Sequence, residues 1–138
     1  MPPSAGQRRL LRLHAQLSPP SAPPAPPIAA PLPAGGGAGQ PLRVGIIGLG
    51  DITEKSFAPS VLACPNATLV AVCRRDVAQA KDFAARWTER QGGGPITVHG
   101  TAEELCADPG VDAVIVATTT TTHEEYTVLA ASHGKHIL

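Results

Sequence analysis

Residues 42–53 read Leu-Arg-Val-Gly-Ile-Ile-Gly-Leu-Gly-Asp-Ile-Thr, and this stretch is the strongest indication of the fold class. The apolar run at 44–47 is typical of a parallel strand that is buried on both faces. It leads directly into Gly48-Leu49-Gly50, and a helix is expected from about Ile52. A strand, a glycine turn and a helix in that order are the context in which a Gly-x-Gly motif indicates dinucleotide binding.

The two glycines of the motif have different expected roles. Gly48 would permit the tight turn, and Gly50 would let a pyrophosphate approach bare backbone at a helix N-terminus. The third glycine position of the pattern is occupied by Thr53, which is a departure. An ordinary glycine turn between a strand and a helix is the alternative interpretation of the motif alone.

The composition divides the chain into two parts. Residues 1–40 are rich in Pro, Ala and Gly and contain no Asp or Glu. Such a segment buries too little apolar surface to offset its ordering entropy, so we predict a disordered low-complexity arm. Its basic and apolar run at 8–13 predicts either a transit peptide for a mitochondrion or plastid or a neutral extension. Residues 41–138 form the predicted folded domain.

Charge and cysteine content exclude several classes of function. Lys and Arg together equal Asp and Glu, so no overall basic field favours nucleic acid or acidic lipid. The three cysteines are widely spaced and form no zinc motif, which predicts no metal site. A reducing compartment, the cytoplasm, fits free cysteines best. No apolar run is long enough to span a membrane.

Strand and helix patterns alternate along the folded part. The first helix is predicted over 52–63, where Pro59 should bend or shorten it. Asp76 should cap the second helix with Gln79 at the capping-box position, and a third helix should start at a capping box, 101–104. A further capping box of Thr122 and Glu125 opens the last helix, 123–133. Later strands are predicted at 67–73, 96–99, 111–117 and 136–138.

This alternation predicts an α/β fold of the Rossmann type, with a parallel sheet and right-handed crossovers. With the glycine motif on the first turn, the expected strand order is 3-2-1-4-5. A ligand would then lie across the carboxyl ends of strands one and four. Along the second helix, the core-facing stripe is predicted to be Val77, Ala80, Ala84 and Trp87.

The residues after the second strand predict which dinucleotide is bound. An acidic residue at this point normally holds the ribose hydroxyls of NAD. Here the position is Arg74, followed by Arg75. A guanidinium there can pair with a 2′-phosphate, so we predict NADP, with NAD as the alternative cofactor. The other interpretation is that both arginines are solvated and that Asp76 is only a helix cap.

Five threonines follow the fourth strand and face the same crevice. Their hydroxyls could contact the nicotinamide ribose or a phosphate, or they could only satisfy the loop backbone. His123 is the sole titratable side chain there, and it is more typical of a structural or cofactor-contacting histidine than of a general acid or base. We therefore predict no catalytic residue in this chain.

The motifs taken together resemble a known family. The folded part is similar to the N-terminal domain of the Gfo/Idh/MocA oxidoreductases in several motifs that occur in the same order. They are Val-Gly-Ile-Ile-Gly-Leu-Gly-Asp-Ile, Leu-Val-Ala-Val-Cys-Arg-Arg-Asp and Val-Asp-Ala-Val-Ile-Val-Ala-Thr, followed by His123 and Gly-Lys-His. The resemblance covers about 42–138. It implies a Rossmann domain followed by a larger substrate domain that carries dimer contacts, and hydride transfer between NAD(P) and sugars, cyclitols or related diols.

The resemblance also implies cofactor contacts at matching positions. The residues concerned are Gly48, Leu49, Gly50, Asp51 and Ile52 at the pyrophosphate turn, Arg74 and Arg75 at the adenosine ribose or its phosphate, and Thr118, Thr119 and His123 near the nicotinamide side.

Two departures from the family pattern stand out. Thr119-Thr120 replace the usual Pro-Asn after the fourth strand, and the chain ends before the Glu-Lys-Pro motif and the substrate domain. Lys135 belongs to the Gly-Lys-His turn and is not that catalytic lysine. The leading hypothesis is the NADP-binding domain of such an oxidoreductase. The alternatives are a dinucleotide-binding sensor or partner module without catalysis, and an incomplete fragment.

Overall fold

The structure is a computed structural model, and it describes residues 39–138. The predicted disordered arm and its possible transit peptide fall almost entirely on residues 1–38, outside the described residues. Within the described part, strands and helices alternate as the hydrophobic pattern predicts.

A parallel sheet forms the centre of the described part, and its order β3-β2-β1-β4-β5 confirms the prediction. Its strands are β1 (Leu42–Ile47), β2 (Ala67–Cys73), β3 (Thr97–His99), β4 (Ala113–Val116) and β5 (His136–Ile137). Ile46 at the middle of the sheet pairs with Val72 on β2 and with Ile115 on β4. Because β1 lies between β2 and β4, the turn that follows it opens at the point where the strand order reverses.

The first crossover differs from a regular helix. A π-helical segment, Thr53–Phe57, continues into helix α1, Ala58–Ala63. The amide of Ala58 donates to the carbonyl of Thr53, five residues back. Pro59 has no amide to donate, and its ring would clash with the carbonyl of Lys55 in a regular helix. The wide turn relieves that clash, so Pro59 changes the helical geometry rather than ending the helix.

The second crossover helix, α2 (Val77–Gln91), is capped as predicted. Asp76 accepts the amide of Gln79 at 3.1 Å and the Gln79 side-chain amide at 2.7 Å. Phe83 and Trp87 are buried in the core, with ring centroids 5.8 Å apart. The prediction that Val77 is also core-facing is wrong, because 40% of its surface is exposed.

The last two crossovers are short. Helix α3 (Ala102–Ala107) begins at the predicted capping box of Thr101 and Glu104. A 3₁₀ turn, Thr120–Thr122, runs directly into helix α4 (His123–Ser132). The predicted capping box of Thr122 with Glu125 is wrong. Thr122 has φ −113° and ψ 0°, outside the extended conformation of an N-cap, so its hydroxyl donates back to Thr118 Oγ1 instead.

The sheet separates two hydrophobic clusters. On one face, α1 and α2 pack on a cluster that includes Ile46, Leu69 and Trp87. On the other, α3 and α4 pack on one that includes Val114, Leu105 and Ala130. Both faces of the central strands are therefore covered by helices, as continuous apolar strands require.

Candidate dinucleotide-binding site

The turn after β1 is held in a conformation that only glycine adopts easily. Gly48 has φ +94°, and a Cβ atom placed on it would lie 2.5 Å from the carbonyl oxygen of Ala117. Its amide donates to the carbonyl of Cys73 at 3.0 Å. Gly48 thus joins the ends of three adjacent strands, which explains why the turn requires glycine.

Thr53, the departure from the glycine pattern, takes part in this turn. Its side chain is fully buried, and its hydroxyl donates to the carbonyl of Gly48 at 2.8 Å. In the sequence, Thr53 stands only as a departure from the glycine pattern. The residue type does indicate this role, because a short hydroxyl side chain at a tightly packed position can donate a hydrogen bond to a nearby carbonyl.

The four residues after Gly48 differ in what they present to the crevice. A Cβ atom on Gly50 would have nothing within 4 Å. Leu49 is 5% exposed and its side chain belongs to the core, so the residue borders the groove without offering its side chain to a ligand. Asp51 and Ile52 are exposed, and Asp51 accepts a hydrogen bond from Lys55 at 2.6 Å. The open side of Gly50 fits the close approach of a pyrophosphate.

Arg74 reaches the same turn from the end of β2. Its Nη1 donates to the carbonyl of Leu49 at 2.7 Å, and the rest of its guanidinium lines a groove beside Gly50. Arg75 is exposed and lies outside that groove. The pKa of Asp76 is lowered, chiefly by the backbone amide of Gln79, so this carboxylate acts as a helix cap.

The groove lies between the glycine turn and α2 and has a volume of about 310 Å³. Its lining combines backbone, two arginines and several acceptors: Leu49, Gly50, Asp51, Glu54, Arg74, Gln79, Asp82, Phe83 and Arg86. This is the end of the crevice where the predicted adenosine contacts lie.

A charged network forms the far wall of the groove. Glu54 accepts from Arg86 and from the Trp87 indole, and Arg86 also donates to Asp82 at 3.0 Å. The hydrogen bond from Arg86 lowers the pKa of Glu54. This network ties the π-helical segment to α2. The sequence does not predict it, since Glu54 lies 32 positions from Arg86 and 33 from Trp87 with no local pattern to connect them.

The loop after β4 borders Gly48 from the other side. Thr118 Cγ2 would lie 3.0 Å from a Cβ on Gly48, so Thr118 lies against the glycine turn. It is one of the three residues predicted at the nicotinamide side. The hydroxyls of Thr119 and Thr121 are 3.2 Å apart. His123 Nε2 donates to the carbonyl of Thr118 at 2.9 Å. In the described structure these hydroxyls and the imidazole form their hydrogen bonds mainly with other groups of the same loop.

Lys135 has a structural position. Its Nζ donates to the carbonyls of Asp108 and Val111, each at 2.7 Å. Both acceptors belong to the backbone between α3 and β4, and the expectation that Lys135 is not a catalytic lysine stays a prediction. Within residues 39–138 no cluster of three His, Cys, Asp or Glu side chains could hold a metal ion. No helix of the same part of the chain is long and apolar enough to cross a membrane.

Comparison with known proteins identifies the family. Residues 42–138 match the family model described as "Oxidoreductase family, NAD-binding Rossmann fold". The chain is 36% identical over 98 residues to a dTDP-3,4-didehydro-2,6-dideoxy-alpha-D-glucose 3-reductase of Actinomadura kijaniata, covering 71% of this chain and 27% of that protein. It is 32% identical over 97 residues to the NADP(+) scyllo-inositol 2-dehydrogenase of Bacillus subtilis, with coverage of 70% and 27%.

A solved structure agrees with these relatives. The crystal structure of a 3-ketoreductase from Actinomadura kijaniata in complex with NADP and TDP-benzene superposes with a TM-score of 0.60 at 36% identity, covering 72% of this chain and 28% of that one. The chain spans about a quarter of the length of the relatives it matches. From its fold, its glycine turn and these matches, the chain belongs to the Gfo/Idh/MocA oxidoreductase family, and residues 42–138 are its NAD-binding Rossmann domain.

Proposed function

We propose that residues 42–138 bind NADP(H) in preference to NAD(H). The observation that carries this proposal is the position of Arg74, which lines the groove beside Gly50 where an acid would select NAD. One N–H of its guanidinium is bonded to Leu49, which leaves other donors for a 2′-phosphate. Arg75, exposed next to it, adds a second positive charge.

Each part of the cofactor would contact a different part of the site. The pyrophosphate would lie over Gly50, with Leu49, Asp51 and Ile52 contributing the neighbouring turn. The nicotinamide end would lie near Thr118, Thr119 and His123. Their hydroxyls and imidazole would exchange hydrogen bonds within the loop for bonds to the cofactor.

We further propose that the complete protein transfers hydride between the nicotinamide and a carbinol carbon of a sugar, cyclitol or diol. NADP(H) supplies the hydride chemistry, and this chain's residues bind and orient it. Support comes from relatives named as a deoxyglucose 3-reductase and an inositol dehydrogenase. The substrate residues and subunit contacts would lie in a further domain of the complete protein.

We propose a reducing compartment, the cytoplasm, as the location. Cys64, Cys73 and Cys106 are all free thiols. The alternative is an N-terminal transit peptide that directs the protein to a mitochondrion or plastid. Expression of the chain with a fluorescent protein at its C-terminus would separate the two, because organelle import would concentrate the signal in that organelle.

The first test is calorimetric titration of the 138-residue chain with NADPH and with NADH. Arg74→Ala should weaken NADPH binding by about 10-fold to 100-fold, because a charge-assisted hydrogen bond contributes about 1.5–3 kcal/mol. NADH binding should weaken by a smaller factor, because NADH shares the pyrophosphate but lacks the 2′-phosphate. Arg75→Ala should lower NADPH affinity by a smaller factor, because its side chain lies outside the groove.

Lys81→Ala is the matched control, because it removes one positive charge from the exposed face of α2. It should leave both affinities unchanged. Equal weakening of NADPH and NADH by Arg74→Ala would contradict the assignment of the 2′-phosphate. A folded chain that binds neither dinucleotide would contradict the proposed function as a whole.

A further inference from the structure

We propose that Thr53 is the positioning residue of the pyrophosphate turn, an inference that rests on the proposed function. Thr53 is the buried polar residue of the described core, and its hydroxyl is directed at Gly48. In the usual pattern a third glycine at this place serves only close packing of helix on strand. Here the side chain makes a specific bond to the turn that the cofactor would contact.

The bond sets the direction of a peptide group. In a trans peptide the carbonyl and the following amide point in opposite directions. Because Thr53 draws the carbonyl of Gly48 toward the π-helical segment at 2.8 Å, the amide of Leu49 must point away from it. Thr53 therefore determines where that donor is presented.

Arg74 fixes the next peptide in the same way. Its bond to the carbonyl of Leu49 turns the amide of Gly50 to the opposite side. Among the hydrogen bonds within residues 39–138, the amides of Leu49 and Gly50 have no acceptor. Two side chains from different crossovers thus hold two successive carbonyls, and two successive amides stay available for an anion.

The backbone of Thr53 is itself fixed by the π-helical turn. Its carbonyl accepts the amide of Ala58, and its amide donates to the carbonyl of Gly50 at 3.0 Å. The backbone that carries the hydroxyl is therefore fixed beside Gly48, and the complete burial of Thr53 keeps its side chain away from solvent. This arrangement favours a preformed turn over one that is ordered by the ligand.

The test compares Thr53→Val with Thr53→Ser in the 138-residue chain. Valine keeps the shape of threonine and loses the donor, whereas serine keeps the donor. We expect Thr53→Val to weaken NADPH and NADH binding alike, by about 3-fold to 10-fold, the equivalent of one hydrogen bond. Thr53→Ser should bind both dinucleotides within about twofold of the wild type.

A third ligand separates positioning from a general loss of structure. Adenosine 2′-monophosphate carries the 2′-phosphate but no pyrophosphate, so its binding, followed by NMR titration, should not change in Thr53→Val. Unchanged dinucleotide binding in Thr53→Val, or an equal loss for adenosine 2′-monophosphate, would overturn the positioning role while the proposed function stands.

A fold control accompanies the titrations. Thermal unfolding shows whether each variant is folded. If Thr53→Val is unfolded, Thr53→Ala replaces it and is judged by the same criteria, because alanine adds no atoms to the site. If the wild-type chain binds neither dinucleotide, the proposed function and the positioning role fall together. Wild-type binding that Thr53→Val and Thr53→Ala leave intact overturns the positioning role alone.

Discussion

The two ends of strand β1 use their polar groups in opposite ways. At the amino end, Arg43 and Asp112 form a paired fork, with Nε to Oδ2 at 2.9 Å and Nη2 to Oδ1 at 2.6 Å. The Arg43 amide also donates to Asp112. At the carboxyl end, the amides of Leu49 and Gly50 have no acceptor among residues 39–138. One end joins β1 to the segment before β4, and the other is left open to a ligand.

The difference shows how a Rossmann domain can be stable and still carry unmade hydrogen bonds. Donors without acceptors cost stability when they are buried. Gly50 lies at the surface, where water can accept the hydrogen bond of its amide. The pairs that stabilise the sheet lie at the far end of the same strand. Changes to the ion pair at the amino end should therefore affect stability, and changes to the open backbone at Gly50 should affect binding. Gly48 also belongs to the carboxyl end, but its close packing on Ala117 makes it a stability position.

The largest effect is expected from Gly48→Ala. The added Cβ would lie 2.5 Å from Ala117 O, and φ is +94°, so we expect a loss of roughly 3 kcal/mol or more in the free energy of unfolding. Gly50→Ala is its control, because the same methyl group meets open space. It should change stability by less than about 1 kcal/mol.

Denaturant unfolding measures both variants, and NADPH titration separates them further. Gly50→Ala should keep its fold but bind NADPH about 10-fold more weakly, because the methyl group would hinder the pyrophosphate. If Gly48→Ala were as stable as the wild type, the close contact between the turn and the end of β4 would not exist as described.

A smaller effect is expected from Asp112→Asn at the opposite end. The Asp112 side chain is nearly buried, and its hydrogen bond with Arg43 lowers its pKa below the ordinary value of 3.8. Asparagine keeps one acceptor but loses the charge, so we expect a loss of about 1–2 kcal/mol near neutral pH. NADPH affinity should not change.

The pH dependence of this loss follows from the direction of the pKa shift. A carboxyl whose pKa is depressed in the folded state stabilises it fully above the unfolded pKa, and this stabilisation fades as the pH falls through the folded value. The difference between wild type and Asp112→Asn should therefore shrink below about pH 4. Urea unfolding across the acid range measures it, and a difference that grew on acidification would contradict the ion pair.

The smallest effect is expected from Thr119→Ala in the loop after β4. Its hydroxyl is exposed and lies 3.2 Å from that of Thr121, so stability should change by less than about 0.5 kcal/mol. NADPH and NADH binding should each weaken about twofold, because both ligands share the nicotinamide end. Thr121→Ala breaks the same contact and should leave binding unchanged. A selective loss of NADPH would place Thr119 at the wrong end of the cofactor.

Local patterns predict the sheet order because apolar strands, glycine turns and helix caps are short-range signals. The caps at Asp76 and Thr101 and the tight turn at Gly48 are confirmed for this reason. Pro59 marked where the first helix would depart from regular geometry. The form of that departure, a π-helical turn, depends on packing that no short pattern encodes.

The contacts that the sequence did not predict, in the candidate site and at the other end of β1, share a different property. Arg74 meets Leu49 across 25 positions, Glu54 meets Arg86 across 32, and Arg43 meets Asp112 across 69. Each pair joins different elements, so neither partner stands out in its own segment. The cofactor contacts themselves remain predictions, which the proposed titrations address.

The burial of two cysteines gives the folded domain a chemical signature. Cys64 is exposed at the end of α1, whereas Cys73 and Cys106 lie in the core, where burial raises the pKa of each thiol. Thiolate is the reactive form, so an alkylating reagent meets one accessible sulfur in the native state and three in the unfolded chain. The number of labelled sulfurs per molecule therefore reports whether the domain is folded, because a native molecule should be labelled at Cys64 alone.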